Sequence, residues 1–203
     1  VKKNIICLFL RKPIYGRSYS IEKYFKELIA NHHDKRFIFK LKICPVLSKG
    51  FFRRLYLVFW AYFNQGDINH ICGDINFISI FLKKKCTIVT VLDNYSMKRL
   101  TGLKKFVYYF FWLKLPLSRC YKIISISKNT TNELIKYLPE FKNKIIKIDV
   151  CIQKIFKKNV KKFNSVPFIL IIGTSINKNF YNSISALSKI RCKVLIIGKL
   201  RSE

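Results

Sequence analysis

The sequence predicts an α/β protein built on a doubly wound parallel sheet, and three features carry that prediction. Short runs rich in Ile, Val and Leu recur along the chain, among them Asn4–Leu10, residues 86–92 and Phe168–Ile172. They are apolar at consecutive positions, as strands buried on both faces are. Stretches with apolar residues at helical spacing lie between them, so strand and helix alternate. Several of the runs end at Gly, Asp or Ser, the short polar corners where a strand hands over to a helix.

Composition supports a packed core: 203 residues, half of them apolar and 15% aromatic, exclude an intrinsically disordered chain. Forty Lys and Arg oppose ten Asp and Glu, for a formal charge of +30. Such a balance attracts phosphate-rich partners, namely nucleic acid, anionic lipid headgroups or nucleotide diphosphates. An AT-biased coding sequence, rich in Lys, Asn, Ile and Phe, would raise the charge equally, and composition does not choose between the two. The cysteines are widely scattered, and even the nearest two, Cys72 and Cys86, are too far apart in sequence for a CxxC pair or Cys/His metal spacing. Scattered thiols inside apolar runs suit a reducing compartment, so a cytoplasmic location is expected. Residues 1–10 lack the cleavage site of a signal peptide, and the aromatic stretches 55–63 and 106–117 are shorter than the ~20 residues of a membrane span.

Element by element, Asn4–Leu10 reads as a strand, and Ile21, Tyr24, Phe25, Leu28 and Ile29 mark one helix face. Residues 36–41 form a second strand, 50–64 a helix, and Ile68–Cys72 a short strand closed by Gly73 and Asp74. Residues 76–82 suit a short helix, and CTIVTVL at 86–92 a strand buried on both faces. A helix is expected over 99–115 with Pro116 as its stop, then a strand over 121–126. Thr130 and Glu133 have capping-box spacing at the head of the next helix, and residues 145–148 form the last strand of this block. The basic stretch IFKKNVKKFNSVP reads as a linker. Beyond it, Phe168–Ile172, a helix over 179–190 and a strand over 192–197 make one βαβ unit. One such unit cannot bury its own faces, so it either opens a second domain or extends the first sheet.

Candidate chemistry gathers in the loops that follow strands. In GTSINKN, Gly173 permits close backbone approach, Thr174 and Ser175 supply hydroxyls, and Lys178 brings a point charge ahead of a helix opening at Asn179. Free N–H groups and the helix dipole there favour an anion such as a diphosphate. Gly16, between the first strand and the first helix, has the same setting. Asp93 and Ser127 follow buried strands, where α/β proteins hold ligands. Asp93 is either a cap or a functional carboxylate, and His70, inside a short apolar strand, is either a core histidine or a cleft residue. One glycine in RKPIYGRSYS excludes the dinucleotide fingerprint of a nicotinamide-dependent dehydrogenase.

Five spaced motifs then carry a resemblance: H-x-x-G-D at 70–74, CTIVTVLD, YKIISIS ahead of its helix, KIIKI, and IIGTSINKN followed by an A-L helix and IIGKL. From about Asn69 onward the chain resembles the group 1 (family 4) glycosyltransferases of the GT-B fold. The resemblance implies two Rossmann-like domains: residues 1–155 on the acceptor side, a linker over 156–166, and an incomplete donor-nucleotide domain over 167–203. It implies retaining transfer of a sugar from a nucleotide-sugar to a glycan or lipid-linked acceptor in cell-surface polysaccharide synthesis, on the inner membrane face. No metal or cofactor beyond the donor substrate is expected, in keeping with the lack of a D-x-D. Residue by residue, it assigns Asp93 to catalysis, Gly173, Thr174, Lys178, Asn179 and Gly16 to the donor phosphates, and His70 and Ser127 to the acceptor-side cleft.

Two departures qualify the resemblance. Leu92 stands where the family carries the histidine that precedes the aspartate, and no counterpart of the family's E-x7-E region follows Gly198. The expectation is therefore a truncated chain, inactive alone. The rival expectation is a basic α/β module without catalysis that binds a membrane surface or nucleic acid, set against plain helices packed on the sheet, which the number of aromatics favours. FFRRLYLVFW and LKKFVYYFFWLKLPLSR, which interleave bases with aromatics, carry that second reading.

Overall fold

The computed structural model describes residues 3–14, 20–151, 166–174 and 178–198. The chain divides into two compact units, Val1–Lys154 and Ile155–Glu203. Gly16, Ser175 and nearly all of the expected linker lie outside the described residues.

The first unit is an α/β fold on a six-stranded, wholly parallel sheet. Its strands are β1 (Asn4–Leu10), β2 (Phe37–Ile43), β3 (Ile68–Cys72), β4 (Thr87–Val91), β5 (Lys122–Ser125) and β6 (Ile145–Lys147), in spatial order β2-β1-β3-β4-β5-β6. The chain steps outward from β1 to β2, then returns to the other side of β1 and continues the opposite way. Sheet order therefore reverses between β1 and β3, which creates a crevice outside their carboxyl ends.

Alternate strand residues feed two cores. Cys7 and Phe9 of β1, Ile71 of β3, Val89 and Val91 of β4 and Ile123 of β5 join Leu57, Val58 and Ala61 of α2 (Phe51–Phe63) in the larger one. The 3-10 turn Asn76–Phe81 and residues 113–117 complete it. On the other face, Leu8, Leu10 and Cys72 pack with Phe25 of α1 (Ser20–Ala30). Complete burial of a side chain such as Phe9 or Leu57 contributes about 1.5–3 kcal/mol each, so the larger cluster dominates stability.

The expected single helix over 99–115 is instead a series. α3 (Tyr95–Arg99) stops at Leu100, and α4 (Gly102–Tyr108) runs into a π-helical turn, Tyr109–Lys114, and then α5 (Leu115–Ser118). Pro116 does not end the helix; it sits in the first turn of α5. A proline lacks the N–H that would reach the carbonyl four residues back. That carbonyl, on Trp112, accepts from Asn76 Nδ2 at 3.3 Å instead.

The capping box expected at Thr130 and Glu133 is also absent. Ser127 caps α6 (Lys128–Tyr137), its Oγ accepting the Thr130 N–H at 3.1 Å. Glu133 pairs with Lys98 at 2.5 Å, tying α6 to α3.

The second unit holds a parallel pair, β7 (Phe168–Ile172) and β8 (Lys193–Ile197), with α7 (Phe180–Leu187) between them in sequence. Phe180 is buried, whereas Phe168, Leu170 and Ile172 are exposed along β7.

Candidate functional site

The crevice at the β1/β3 reversal is a cleft of about 230 Å3 in the first unit. Arg11 enters from the end of β1, Gly73 and Asp74 from the end of β3, and Leu92 and Asp93 from the end of β4. Asn76, Ser96 and Tyr108 complete its polar lining. Each arrives because a parallel strand has run out of ladder and the chain must turn toward its helix.

Gly73 makes the sharpest of these turns, at φ +122°, a region that a side-chain-bearing residue rarely enters. The turn delivers Asp74 to the floor of the cleft. There Asp74 Oδ1 accepts the Trp112 indole N–H at 3.1 Å. The carboxylate is solvent-accessible yet enclosed by a concave surface. Partial dehydration therefore raises its pKa above the ordinary value; the Trp112 bond and the charge of Arg11 oppose that, Asp93 adds to it and Arg54 opposes it.

Asp93 stands at the corner just before α3, where Asn94 is the cap residue. Its Oδ1 accepts the Tyr95 N–H at 3.1 Å, an Asx turn at the head of α3, and its carboxylate lines the cleft. Behind it, Thr130 donates to the Leu92 carbonyl at 3.3 Å and fixes the corner. The Tyr108 hydroxyl, hydrogen-bonded to Ser96, is pushed up to about 12 by burial and by Asp74 against that bond, with Asp93 adding to the push. It is a neutral donor at physiological pH.

Arg11 is paired with Glu22 of α1 at 3.6 Å. Asn76 is 5% exposed, and its Oδ1 has no hydrogen-bond partner among the described residues although its Nδ2 is engaged by Trp112. That oxygen is buried in the cleft wall.

Two expected cleft residues lie elsewhere. Ser127 stands at the carboxyl end of β5, but its hydroxyl caps α6 and is not part of the cleft lining. His70, mid-strand on the α1 side of the sheet, places Nε2 2.7 Å from Thr90 Oγ1 and its ring edge-on to Phe25 at 5.5 Å. Burial lowers its pKa to about 4, so it is a neutral core imidazole at pH 7. Sequence reasoning misses Arg11, Asp74, Asn76, Tyr108 and Trp112 as site residues. Gly73-Asp74 after an apolar strand is the same signal that singles out Asp93.

In the second unit the loop after β7 starts at Gly173, φ +89°, whose N–H bonds the Ile197 carbonyl at 2.7 Å. The Lys178 stem crosses directly over Gly173, where an added Cβ would lie 3.0 Å from Lys178 Cγ. Thr174 packs against Gly198. Asn179 is left-handed at φ 54°, and its carbonyl accepts the Ser183 N–H and hydroxyl, so the helix opens at Phe180. Gly173, Thr174, Lys178 and Asn179 thus form one corner.

Among the described residues no group of three His, Cys, Asp or Glu is placed to hold a metal ion. All seven cysteines are free, and Cys7, Cys44, Cys72 and Cys120 are buried. The fold and the cleft define a Rossmann-like α/β protein with a polar site at its topological switch point. No protein-family model matches the chain, and no curated protein matches it significantly in sequence.

Proposed function

We propose that this chain is part of a nucleotide-sugar-dependent glycosyltransferase of the GT-B type, with the first unit serving the acceptor. The observation that carries the reading is the convergence of Arg11, Asp74, Asp93, Asn76 and Tyr108 at the β1/β3 switch point. Carboxylates accept from sugar hydroxyls, Tyr108 adds a hydroxyl, and Trp112 offers an aromatic wall beside them. That mixture suits a polyhydroxylated ligand better than an apolar one.

In the transfer step the acceptor oxygen bonds to the anomeric carbon as the bond from that carbon to the diphosphate oxygen breaks. The diphosphate leaves with the bonding electrons and, as retention requires, its own oxygen takes the acceptor proton on the same face; Asp93 is assigned to binding the acceptor hydroxyl. The Gly173 corner with Lys178 is assigned to the diphosphate, as a backbone turn and a point charge suit it.

The test is ligand-observed NMR of the chain with a panel of nucleoside diphosphate hexoses and simple glycosides. Lys178→Ala is expected to weaken nucleotide binding about 10-fold, the loss of one charge-assisted contact. Asp93→Asn is expected to weaken glycoside binding while nucleotide binding stays. Absence of nucleotide-sugar binding at millimolar concentration would sink the reading.

A further inference from the structure

A surface helix normally turns polar residues outward. α2 does the reverse. Its inward face is apolar, with Leu57 and Ala61 fully buried and Val58 nearly so. Its outward face carries Phe52, Leu55, Tyr56, Phe59, Tyr62 and Phe63, all exposed. Phe52, Tyr56, Phe59 and Phe63 recur at steps of four, three and four, with Leu55 and Tyr62 beside them, the spacing that aligns side chains in one stripe of a helix. Phe52 is 83% exposed and Phe63 79%. The stripe extends beyond the helix, because the exposed Phe81 ring of the adjoining 3-10 turn stands 5.6 Å from that of Phe59.

Charge frames this stripe in one sign. The helix contains no acidic residue; its two charges, Arg53 and Arg54, lie near its first turn, close to exposed Lys49. At the Phe81 end stand Lys83, Lys84 and Lys85, all exposed. On the same side of the sheet, α4 and the π turn repeat the arrangement with exposed Leu103, Phe106 and Phe110 beside exposed Lys104 and Lys114. No helix among the described residues is long and apolar enough to cross a membrane.

We infer that the outer face of α2, with Phe81 and Lys83 to Lys85, docks on an anionic lipid bilayer. The aromatic stripe enters the headgroup and acyl boundary, while the lysines reach phosphates through their flexible stems. A contiguous exposed apolar patch of this extent marks an interaction site. The cations decide the partner: a second copy would bring another lysine-framed patch and +30 more charge against it. A bare nucleic-acid strand answers the charge but leaves a convex stripe of six large side chains mostly wet. This inference is independent of sugar transfer.

The experiment is co-sedimentation with vesicles of phosphatidylcholine and phosphatidylglycerol in a molar ratio of roughly two to one, beside pure phosphatidylcholine, at low and high salt. Wild type is expected to bind the anionic vesicles and to release as salt rises. The variant Phe52→Glu/Phe59→Glu/Phe63→Glu, with unchanged far-UV circular dichroism, should partition at least about 10-fold more weakly. Lys83→Gln/Lys84→Gln/Lys85→Gln should lose about fivefold per charge on anionic vesicles and little on neutral ones. Three results would overturn the inference: no binding of wild type to anionic vesicles, unchanged binding by the phenylalanine variant, or a Phe52-dependent dimer in sedimentation velocity. Capture of single-stranded oligonucleotide that the phenylalanine variant loses, without vesicle binding, would reassign the face to nucleic acid.

Discussion

Trp112 donates its indole N–H to Asp74 at 3.1 Å, and the same ring carries the Arg54 guanidinium 4.5 Å from its centroid. One side chain, placed by a π turn, thus joins α2 to the floor of the cleft at the end of β3. The turn itself depends on the cleft. Asn76, a cleft residue, supplies the donor that Pro116 withholds from the Trp112 carbonyl.

Asp74 makes stability depend on pH in a defined direction. Its folded pKa lies above its unfolded one, so between the two values the native state binds more protons. Stability due to this group then falls as pH rises through that window, and the full penalty is present above the folded value. Asp74→Asn keeps an acceptor for Trp112 and removes the charge. It should raise the thermal midpoint at pH 7 and lose that advantage below the ordinary carboxylate range. Thermal melts of both proteins at pH 7 and pH 3 check it; an equal advantage at both would contradict the assignment.

His70 acts in the opposite sense. Its pKa is lowered to about 4 from an ordinary 6.5, because burial disfavours the imidazolium. The unfolded chain therefore binds more protons between those values, and stability rises with pH across the window. A shift of that size corresponds to at most about 3 kcal/mol. His70→Gln should flatten the dependence between pH 6.5 and 4 in urea titrations, where an unchanged slope would assign the loss to other groups.

How much of this is legible in the sequence depends on the element. β1, β3 and β7 begin and end where their runs do, since a residue of another kind closes each: Arg11 after β1, Gly73 after β3 and Gly173 after β7. The single helix expected over 99–115 is misread because apolar periodicity records which side is buried and says nothing of which carbonyl each N–H reaches. At Leu100 and Thr101 the backbone is extended and leaves the helix, and at the π turn each N–H reaches a carbonyl one residue farther back; periodicity marks neither. Within the site, Asp93 is found from its place after a strand. Asp74 has the same place but reads as a terminator, while Tyr108 and Trp112 are brought in by the helix series and have no local signal.

Ser127 separates a capping role from a cleft role. Its Oγ accepts the Thr130 N–H, so Ser127→Ala should cost about 1 kcal/mol of stability. Ligand binding in the cleft should stay unchanged. Asn at the same position should restore stability, because it caps as well as Ser. A binding defect in Ser127→Ala beyond the stability loss would return Ser127 to the site.

The two faces of α2 should respond oppositely to truncation. Leu57 is 0% exposed in the main core, so Leu57→Ala removes buried area and leaves a cavity, for about 2–5 kcal/mol. Phe52 touches little but water and the Phe51 ring at 5.6 Å. Phe52→Ser should therefore change stability by no more than about 0.5 kcal/mol. Denaturant midpoints measured without lipid decide the matter: a large loss in Phe52→Ser would mean that the outward stripe is packed against protein, which would also remove the surface on which a bilayer could dock.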